Sequence, residues 1–348
     1  MKDSSAHHAS LADTLDCVLP HASARLIPET AGTALRSVAK ALPPIARGLL
    51  ECRLGAPGAV DLSIGALNTQ RDKTLIADYF RQIDDGAPAW TRTMAFVDRW
   101  LAEEEDDPGS RYAWFEFDIP GPGPCPAPSI FVSVRGTGQD RCWDDALARL
   151  TPRAVTESRL WPNRLPDGAR LEFIGVMVPR GSEAIRLNLS FPSARAAWAW
   201  IDAYGAAPDP DARPLFTALF EAGSTIVTVD AEDGRLGPRI GLECRPGKSA
   251  EAERILALCQ SHGLCDNSAR EAVTSWTGLS TAFDQDHAYP AHLVLEELAA
   301  PEKRPGALVR EVNHVKVSFT GAAVEPAKLY LSFTHAFETP ETATTESP

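Results

Sequence analysis

The chain has 348 residues, with 34 lysines and arginines against 47 aspartates and glutamates, which gives a formal net charge of -13. A hydrophobic content of 44% and a charged content of 23% are ordinary for a protein with a sizeable core, so they exclude a wholly disordered chain. The acidic balance argues against nucleic-acid binding, and the lack of a long apolar run or of a signal peptide argues against a membrane, so we expect a cytoplasmic protein.

The first 110 residues are predicted to be a mainly helical region. Apolar side chains at spacings of three and four predict a helix over 30–50, which Pro43 and Pro44 interrupt. Two further helices are predicted at 72–82 and 89–104, and the segment 59–67 is a poor candidate for a strand. An acidic run at 103–107 is predicted to be a solvated turn that ends this region.

From residue 111 the hydrophobic period changes from 3.6 to 2, which predicts strands. Four hairpins are expected, at 112–119 with 129–135, 170–178 with 183–191, 224–230 with 238–245, and 313–319 with 327–333. Helices are expected between them, at 140–150, 193–204, 212–221, 250–261 and 268–276. We place this repeat domain at 111–337, followed by a disordered polar tail at 338–348.

The fold class that this order predicts is α+β. Repeated helix–hairpin–helix units would form a largely antiparallel sheet, curved or barrel-like, that helices cover on one face. The seven cysteines are odd in number and contain no CxxC pair, so we expect reduced thiols and no disulfide framework.

The polar face of the predicted hairpins holds the candidate binding residues. Alternation along the strands places these side chains together, opposite the apolar face: Arg186, Asn188, Arg239, Glu243, His314, Lys316, Lys328 and Tyr330. Such a face can simply meet water, as in many antiparallel sheets. The recurrence of Arg, His, Tyr and Asn mildly favours a groove or lumen that binds a ligand. Its mixed charges suit a zwitterionic or peptide-like ligand better than a polyanion.

A metal site is weakly indicated by one cluster, Cys259, His262 and Cys265. These residue types are zinc ligands, but no second cluster supplies the missing ligand, so structural packing is the favoured interpretation. Glu116 and Asp118 share a strand face, as solubilising acids often do. We expect no metal and no cofactor.

Catalytic residues stay unknown at this stage. The chain has no GxSxG elbow, no P-loop and no GxGxxG after a strand. If the protein assists chemistry, the polar groups best placed to move a proton are His314, Glu243 and Lys316.

Five segments follow an order that resembles a group of proteins encoded beside ribosomally made peptide natural products. They are VMVPRGSEAIRLNL (176–189), RIGLECRPG (239–247), SHGLC (261–265), SWTG (275–278) and VNHVKVSFTGAAVEPAKLYLSF (312–333). The described members are the peptide-binding proteins of crocagin biosynthesis, and the resemblance covers residues 111–335. It implies a non-catalytic or assisting binding protein that recognises a precursor peptide and presents it for modification or cyclisation. The eight polar residues would then bind peptide, and a modifying enzyme of the pathway would be a second partner.

The spacing of helices and hairpins also resembles the aromatic prenyltransferase barrel, in which αββα repeats close around a lumen. This resemblance is architectural, with four hairpins rather than five, over residues 111–335. It implies an alternative function, the transfer of a prenyl group from a diphosphate to an aromatic or peptide acceptor, with Mg²⁺ or diphosphate dependence. The residues that would shield the diphosphate are Arg186, Arg239, Lys316, Lys328 and Tyr330. The excess of cations over acids on the inward face is slight for such a site.

Overall fold

The computed structural model describes residues 9–55, 58–103, 112–134, 143–206, 209–247, 249–284, 289–299 and 305–337. In these ranges the helices are α1 (Leu11–Val18), α2 (Glu29–Ala39), α3 (Gln70–Ile83), α4 (Pro88–Leu101), α5 (Asp144–Leu150), α6 (Pro152–Leu160), α7 (Ala194–Ala203), α8 (Arg213–Glu221), α9 (Ser249–Ser261), α10 (Ser268–Trp276) and α11 (Ala291–Ala299). None of the helices in the described ranges is long and apolar enough to cross a membrane.

The strands form one antiparallel sheet that closes on itself. They are β1 (Arg47–Arg53), β2 (Val60–Leu67), β3 (Tyr112–Phe117), β4 (Ser129–Ser133), β5 (Arg170–Val176), β6 (Ile185–Ser190), β7 (Ser224–Glu232), β8 (Arg235–Arg245), β9 (Gly278–Ser280), β10 (Gly306–Thr320), β11 (Ala323–Val324) and β12 (Lys328–Phe337). The hydrogen-bonded order runs β10-β12-β1-β2-β3-β4-β5-β6-β7-β8, and β8 pairs with β10, which closes a ten-stranded barrel. β9 and β11 pair with β10 beside this ring.

The two faces of each strand explain where the core lies. Along β3 the residues Ala113, Phe115 and Phe117 are fully buried, whereas the alternate residues face the inside of the barrel. Phe80 of α3 packs edge-on against Phe115, with ring centroids 5.2 Å apart. The hydrophobic core is therefore the layer between the barrel wall and the surrounding helices, and the inner wall is free to carry polar residues.

The four predicted hairpins correspond to β3–β4, β5–β6, β7–β8 and β10–β12, with shifted ends. β10 begins seven residues before its predicted start at 313, and β8 begins three residues before its own at 238. The helices α1, α6 and α11 were not predicted.

Residues 1–8, 104–111 and 338–348 lie outside the described residues, and so do most of the acidic run, Cys142 and the predicted disordered tail. Each of the six cysteines in the described ranges is a free thiol.

The predicted helix over 30–50 is wrong in its second half. α2 ends at Ala39, before Pro43 and Pro44, and residues 47–53 form strand β1. β1 pairs with β2 on one side and with β12 on the other, so the barrel has a fifth hairpin in the region predicted to be mainly helical. Gly48 lies under the ring of Phe333, where a Cβ would overlap the aromatic carbons. The local apolar spacing of residues 47–53 fits both a helix and a strand. Pairing with the distant strand β12 determines that this segment is a strand.

Candidate functional site

The inside of the barrel holds a cavity of about 180 Å³. All eight residues that the sequence placed on one polar face line it. They are Arg186 and Asn188 on β6, Arg239 and Glu243 on β8, His314 and Lys316 on β10, and Lys328 and Tyr330 on β12. Alternation on four strands is sufficient to bring these side chains together once the sheet closes.

One side of the lumen is aromatic, and it was absent from the predicted site. Its members are Tyr112, Trp114, Phe131 and Phe173, which lie on β3, β4 and β5. The rings of Tyr112 and Phe173 meet edge-on at 5.5 Å. Phe131 stands over Gly175 of the next strand, where a Cβ would collide with its ring. The same alternation that identified the polar face applies to these strands and would have identified the aromatic residues.

Glu51 on β1 is a buried carboxylate that organises β12. It accepts hydrogen bonds from Nζ of Lys328 and from the hydroxyl of Tyr330. Burial acts to raise the pKa of Glu51, but the Lys328 charge and these hydrogen bonds outweigh it and lower the pKa. Glu51 is therefore ionised at neutral pH. Glu51 was absent from the predicted site because β1 had been predicted to be helical.

Glu243 is the second buried carboxylate of the lumen. Its Oε1 accepts a hydrogen bond of 3.0 Å from Nζ of Lys316. Burial opposes ionisation, but the charges of Lys316, His314 and Arg245 lower the pKa of Glu243 to about 2. His314 itself is neutral, because burial lowers its pKa to about 3 despite the nearby Glu243. Its ring stacks on Tyr330 with centroids 3.9 Å apart.

The lumen arginines are held by acids at its margins. Arg186 makes a bidentate ion pair with Asp230, in which Nε lies 2.8 Å from Oδ1 and Nη2 lies 3.1 Å from Oδ2. Arg239 is held in the same way by both carboxylate oxygens of Glu325.

Arg180 follows β5 and reaches across to Asp118 at 2.7 Å and to Glu116 at 3.1 Å. Burial and the charge of Glu51 raise the pKa of Glu116 to about 7, against the opposing charge of Arg180. The two acids that the sequence indicated as solubilising groups are thus partners of a lumen arginine.

The lining has six cations and three acids, which leaves an excess of three positive charges. The cations are Arg180, Arg186, Arg239, Arg245, Lys316 and Lys328, and the acids are Glu51, Glu116 and Glu243. Each of these cations lies within 4.0 Å of an acid, either in the lining or at its margin. The lining residues taken alone are thus formally positive, but an acid in the lining or at its margin neutralises each of the cations locally.

No group of three or more His, Cys, Asp and Glu side chains that could hold a metal occurs among the described residues. Cys259 and Cys265 are buried in the core, whereas His262 is exposed.

Comparison with known proteins identifies relatives of the fold only. No protein-family model matches the chain, and no curated protein matches it. Among solved structures, the prenyltransferase PriB without ligand superposes with a TM-score of 0.57 at 13% identity, covering 93% of this chain and 94% of that one. A 5-dimethylallyltryptophan synthase from Streptomyces coelicolor gives a TM-score of 0.55 at 14% identity, covering 94% and 97%. PriB bound to L-tryptophan and dimethylallyl thiolodiphosphate gives 0.53 at 13% identity, over 93% and 94%.

This chain therefore has the fold of the aromatic prenyltransferase barrel over nearly its whole length. The architectural resemblance noted in the sequence is the one these comparisons support. None of them supports the resemblance to peptide-binding proteins of crocagin biosynthesis.

Proposed function

We propose that this protein transfers a prenyl group from a prenyl diphosphate to an aromatic acceptor inside its barrel. The observation that carries the proposal is the division of the closed lumen into an aromatic wall and a polar side with an excess of three positive charges. The fold similarity to the prenyltransferase PriB, whose complex holds L-tryptophan and dimethylallyl thiolodiphosphate, agrees with this division.

The chemistry of prenyl transfer explains why both sides are needed. The allylic carbon–oxygen bond breaks and the diphosphate leaves with the electron pair, so cationic side chains have to hold a developing anion. The allylic cation that remains would react with water, and an enclosed lumen limits that reaction. Aromatic faces such as Trp114 and Tyr112 stabilise a cation at van der Waals distance. The electron-rich ring of the acceptor then forms the new carbon–carbon bond and loses a proton. The carboxylate of Glu51, which is ionised, can accept this proton.

The test is direct. The purified protein is incubated with dimethylallyl diphosphate and indole acceptors, with Mg²⁺ and with EDTA, and products are sought by mass spectrometry. Binding of dimethylallyl thiolodiphosphate is measured by calorimetry for the wild type, for Lys316→Gln and for Lys40→Gln. We expect a prenylated product and about tenfold weaker binding for Lys316→Gln, because it removes a lumen cation. Lys40 is exposed and serves as the matched control. Equal binding in both variants, or no product with any acceptor, would contradict the proposal.

The local neutralisation of the lumen cations favours a second candidate, peptide recognition. Ion pairs such as Lys316–Glu243 and Lys328–Glu51 present both signs of charge, which suits a peptide better than a diphosphate. In this candidate the precursor peptide is the partner, and the eight polar lumen residues bind it. Tight binding of the small peptide encoded nearest the gene, without a response to the thiolodiphosphate, would favour this function over prenyl transfer.

A further inference from the structure

The polar side of the lumen contains two hydrogen-bond acceptors that face each other. Nδ1 of His314 lies 2.8 Å from the side-chain oxygen of Asn313, and because this oxygen can only accept, Nδ1 carries the proton. Nε2 therefore presents a lone pair. It is buried and has no hydrogen-bond partner among the described residues. The stacking of the ring on Tyr330 fixes its direction.

The second acceptor is Oε2 of Glu243, 4.0 Å from Nε2 of His314. Nζ of Lys316 donates a hydrogen bond to the other carboxylate oxygen, Oε1, and Nη2 of Arg245 lies 3.9 Å from Oε2. Both distances to Oε2 exceed that of a hydrogen bond. The side chains of His314 and Glu243 are only 6% and 8% exposed. Two buried acceptors at this separation are unfavourable unless a donor lies between them.

A single nitrogen with two hydrogens fits this separation. For a nitrogen about 2.9 Å from both acceptors, the acceptor–nitrogen–acceptor angle is about 90°. Each N–H bond of an NH₂ group would then point within about 15° of its acceptor. Since Nε2 of His314 is buried, the side chains around it have to move when the NH₂ group binds.

Local charge decides between an ammonium group and an uncharged NH₂. The single negative charge of Glu243 is already surrounded by Lys316 and Arg245. An ammonium ion would add a third positive charge within a few ångströms, whereas an amide adds none. A carboxamide also carries an oxygen, and Nε of Arg245 is a buried donor that has no partner among the described residues.

We propose that the His314–Glu243 pair, with Arg245 beside it, binds a primary carboxamide group of the acceptor. The amide nitrogen donates to Nε2 of His314 and to Oε2 of Glu243, and the amide oxygen accepts from Nε of Arg245. This assignment rests on the proposed function in taking the lumen as the acceptor site. It narrows the acceptor to an aromatic compound that carries an amide beside its ring.

Binding without a prenyl donor tests this assignment. Calorimetric titration compares indole-3-acetamide with methyl indole-3-acetate, which keeps the oxygen and lacks the donor, and with tryptamine, which is an ammonium. We expect the amide to bind about tenfold tighter than the ester, and tighter than tryptamine. His314→Phe keeps a ring to stack on Tyr330 and should reduce the preference for the amide to less than about threefold.

Glu243→Gln is the second variant, and Asp16→Asn, on an exposed ion pair, is its carboxylate-to-amide control. Circular dichroism establishes whether each variant is folded. If Glu243→Gln does not fold, the titrations of His314→Phe alone test the assignment. An amide that binds no better than the ester, that does not bind, or whose preference survives in His314→Phe would overturn the assignment. Because the titrations contain no diphosphate, absence of prenyl transfer leaves their result intact. A prenylated product from tryptamine but not from the amide would overturn the assignment while upholding prenyl transfer.

Discussion

His314 shows how the lumen sets the properties of a single side chain. It is enclosed by Glu243 and Arg245 on β8, Glu51 on β1 and Lys316 on its own strand, and its ring lies on Tyr330. The nearby acids act to raise its pKa, but burial is the larger effect and keeps the imidazole neutral. The residue therefore acts as a neutral acceptor rather than as a cation.

Neutral His314 predicts a loss of stability on acidification. Its pKa is about 3 in the folded protein against 6.5 for a free histidine side chain, so between these values the unfolded chain binds a proton that the folded chain does not. The free energy of unfolding should fall as the pH is lowered through this window. From pH 6.5 to 5 we expect the wild type to lose about 1–2 kcal/mol relative to His314→Phe.

Urea unfolding at several pH values measures this difference. His262→Phe, which makes the same replacement at an exposed position, is the control. Parallel curves for the wild type and His314→Phe would show that His314 is protonated in the fold.

At the scale of elements, the aromatic wall depends on glycines in the neighbouring strands. Gly175 of β5 faces Phe131 of β4 across the pair, and Gly65 of β2 faces Trp114 of β3. In both places a Cβ would press on the ring, at 3.0 Å for Trp114 and closer for Phe131. The absence of a side chain lets each ring lie flat over the adjacent strand.

Gly175→Ala tests this arrangement. The added methyl group must displace the Phe131 ring or shift the strand, and we expect a loss of about 1–3 kcal/mol in the free energy of unfolding. Gly121→Ala is the matched control, because a Cβ at Gly121 meets nothing within 4 Å. Chemical denaturation measures both. Equal stability of the two variants would show that the strand accommodates the methyl group without strain.

Element prediction from sequence succeeded where one period governs a whole segment. β3 and β6 alternate cleanly, and α3 and α4 carry regular apolar stripes, so their bounds were close to those observed. It failed at β1, whose buried residues Leu50 and Cys52 follow a stretch with helical spacing. The pairing of β1 with β12 joins positions such as Leu50 and Leu331, a separation no local pattern can reveal.

At the scale of the whole molecule, the two ends of the chain meet in the barrel. β1 and β2, from the first hundred residues, lie between β12 and β3 in the ring. Removing them would leave two unpaired strand edges and expose the inner wall. We therefore expect the segment that carries β1 and β2 to fold cooperatively with the rest of the barrel.

A chain that begins at residue 111 should therefore fail to fold. We expect no cooperative thermal transition and no near-ultraviolet circular dichroism for residues 111–348, whereas the full chain shows both. A chain that lacks only residues 1–8 is the control for shortening at this end. A cooperative transition in residues 111–348 would show instead that these residues form a separate domain.

The sequence by itself determined the α+β class, the antiparallel hairpins after residue 111 and the eight polar residues of the lumen, because alternation is a local property that each strand carries alone. Closure of the barrel was decided by the pairing of β8 with β10 and of β12 with β1, which is non-local. Closure also brought Glu51 and Arg180 into the site. The charge states of Glu243 and His314 depend on burial and on partners from other strands, so only the tertiary structure set them.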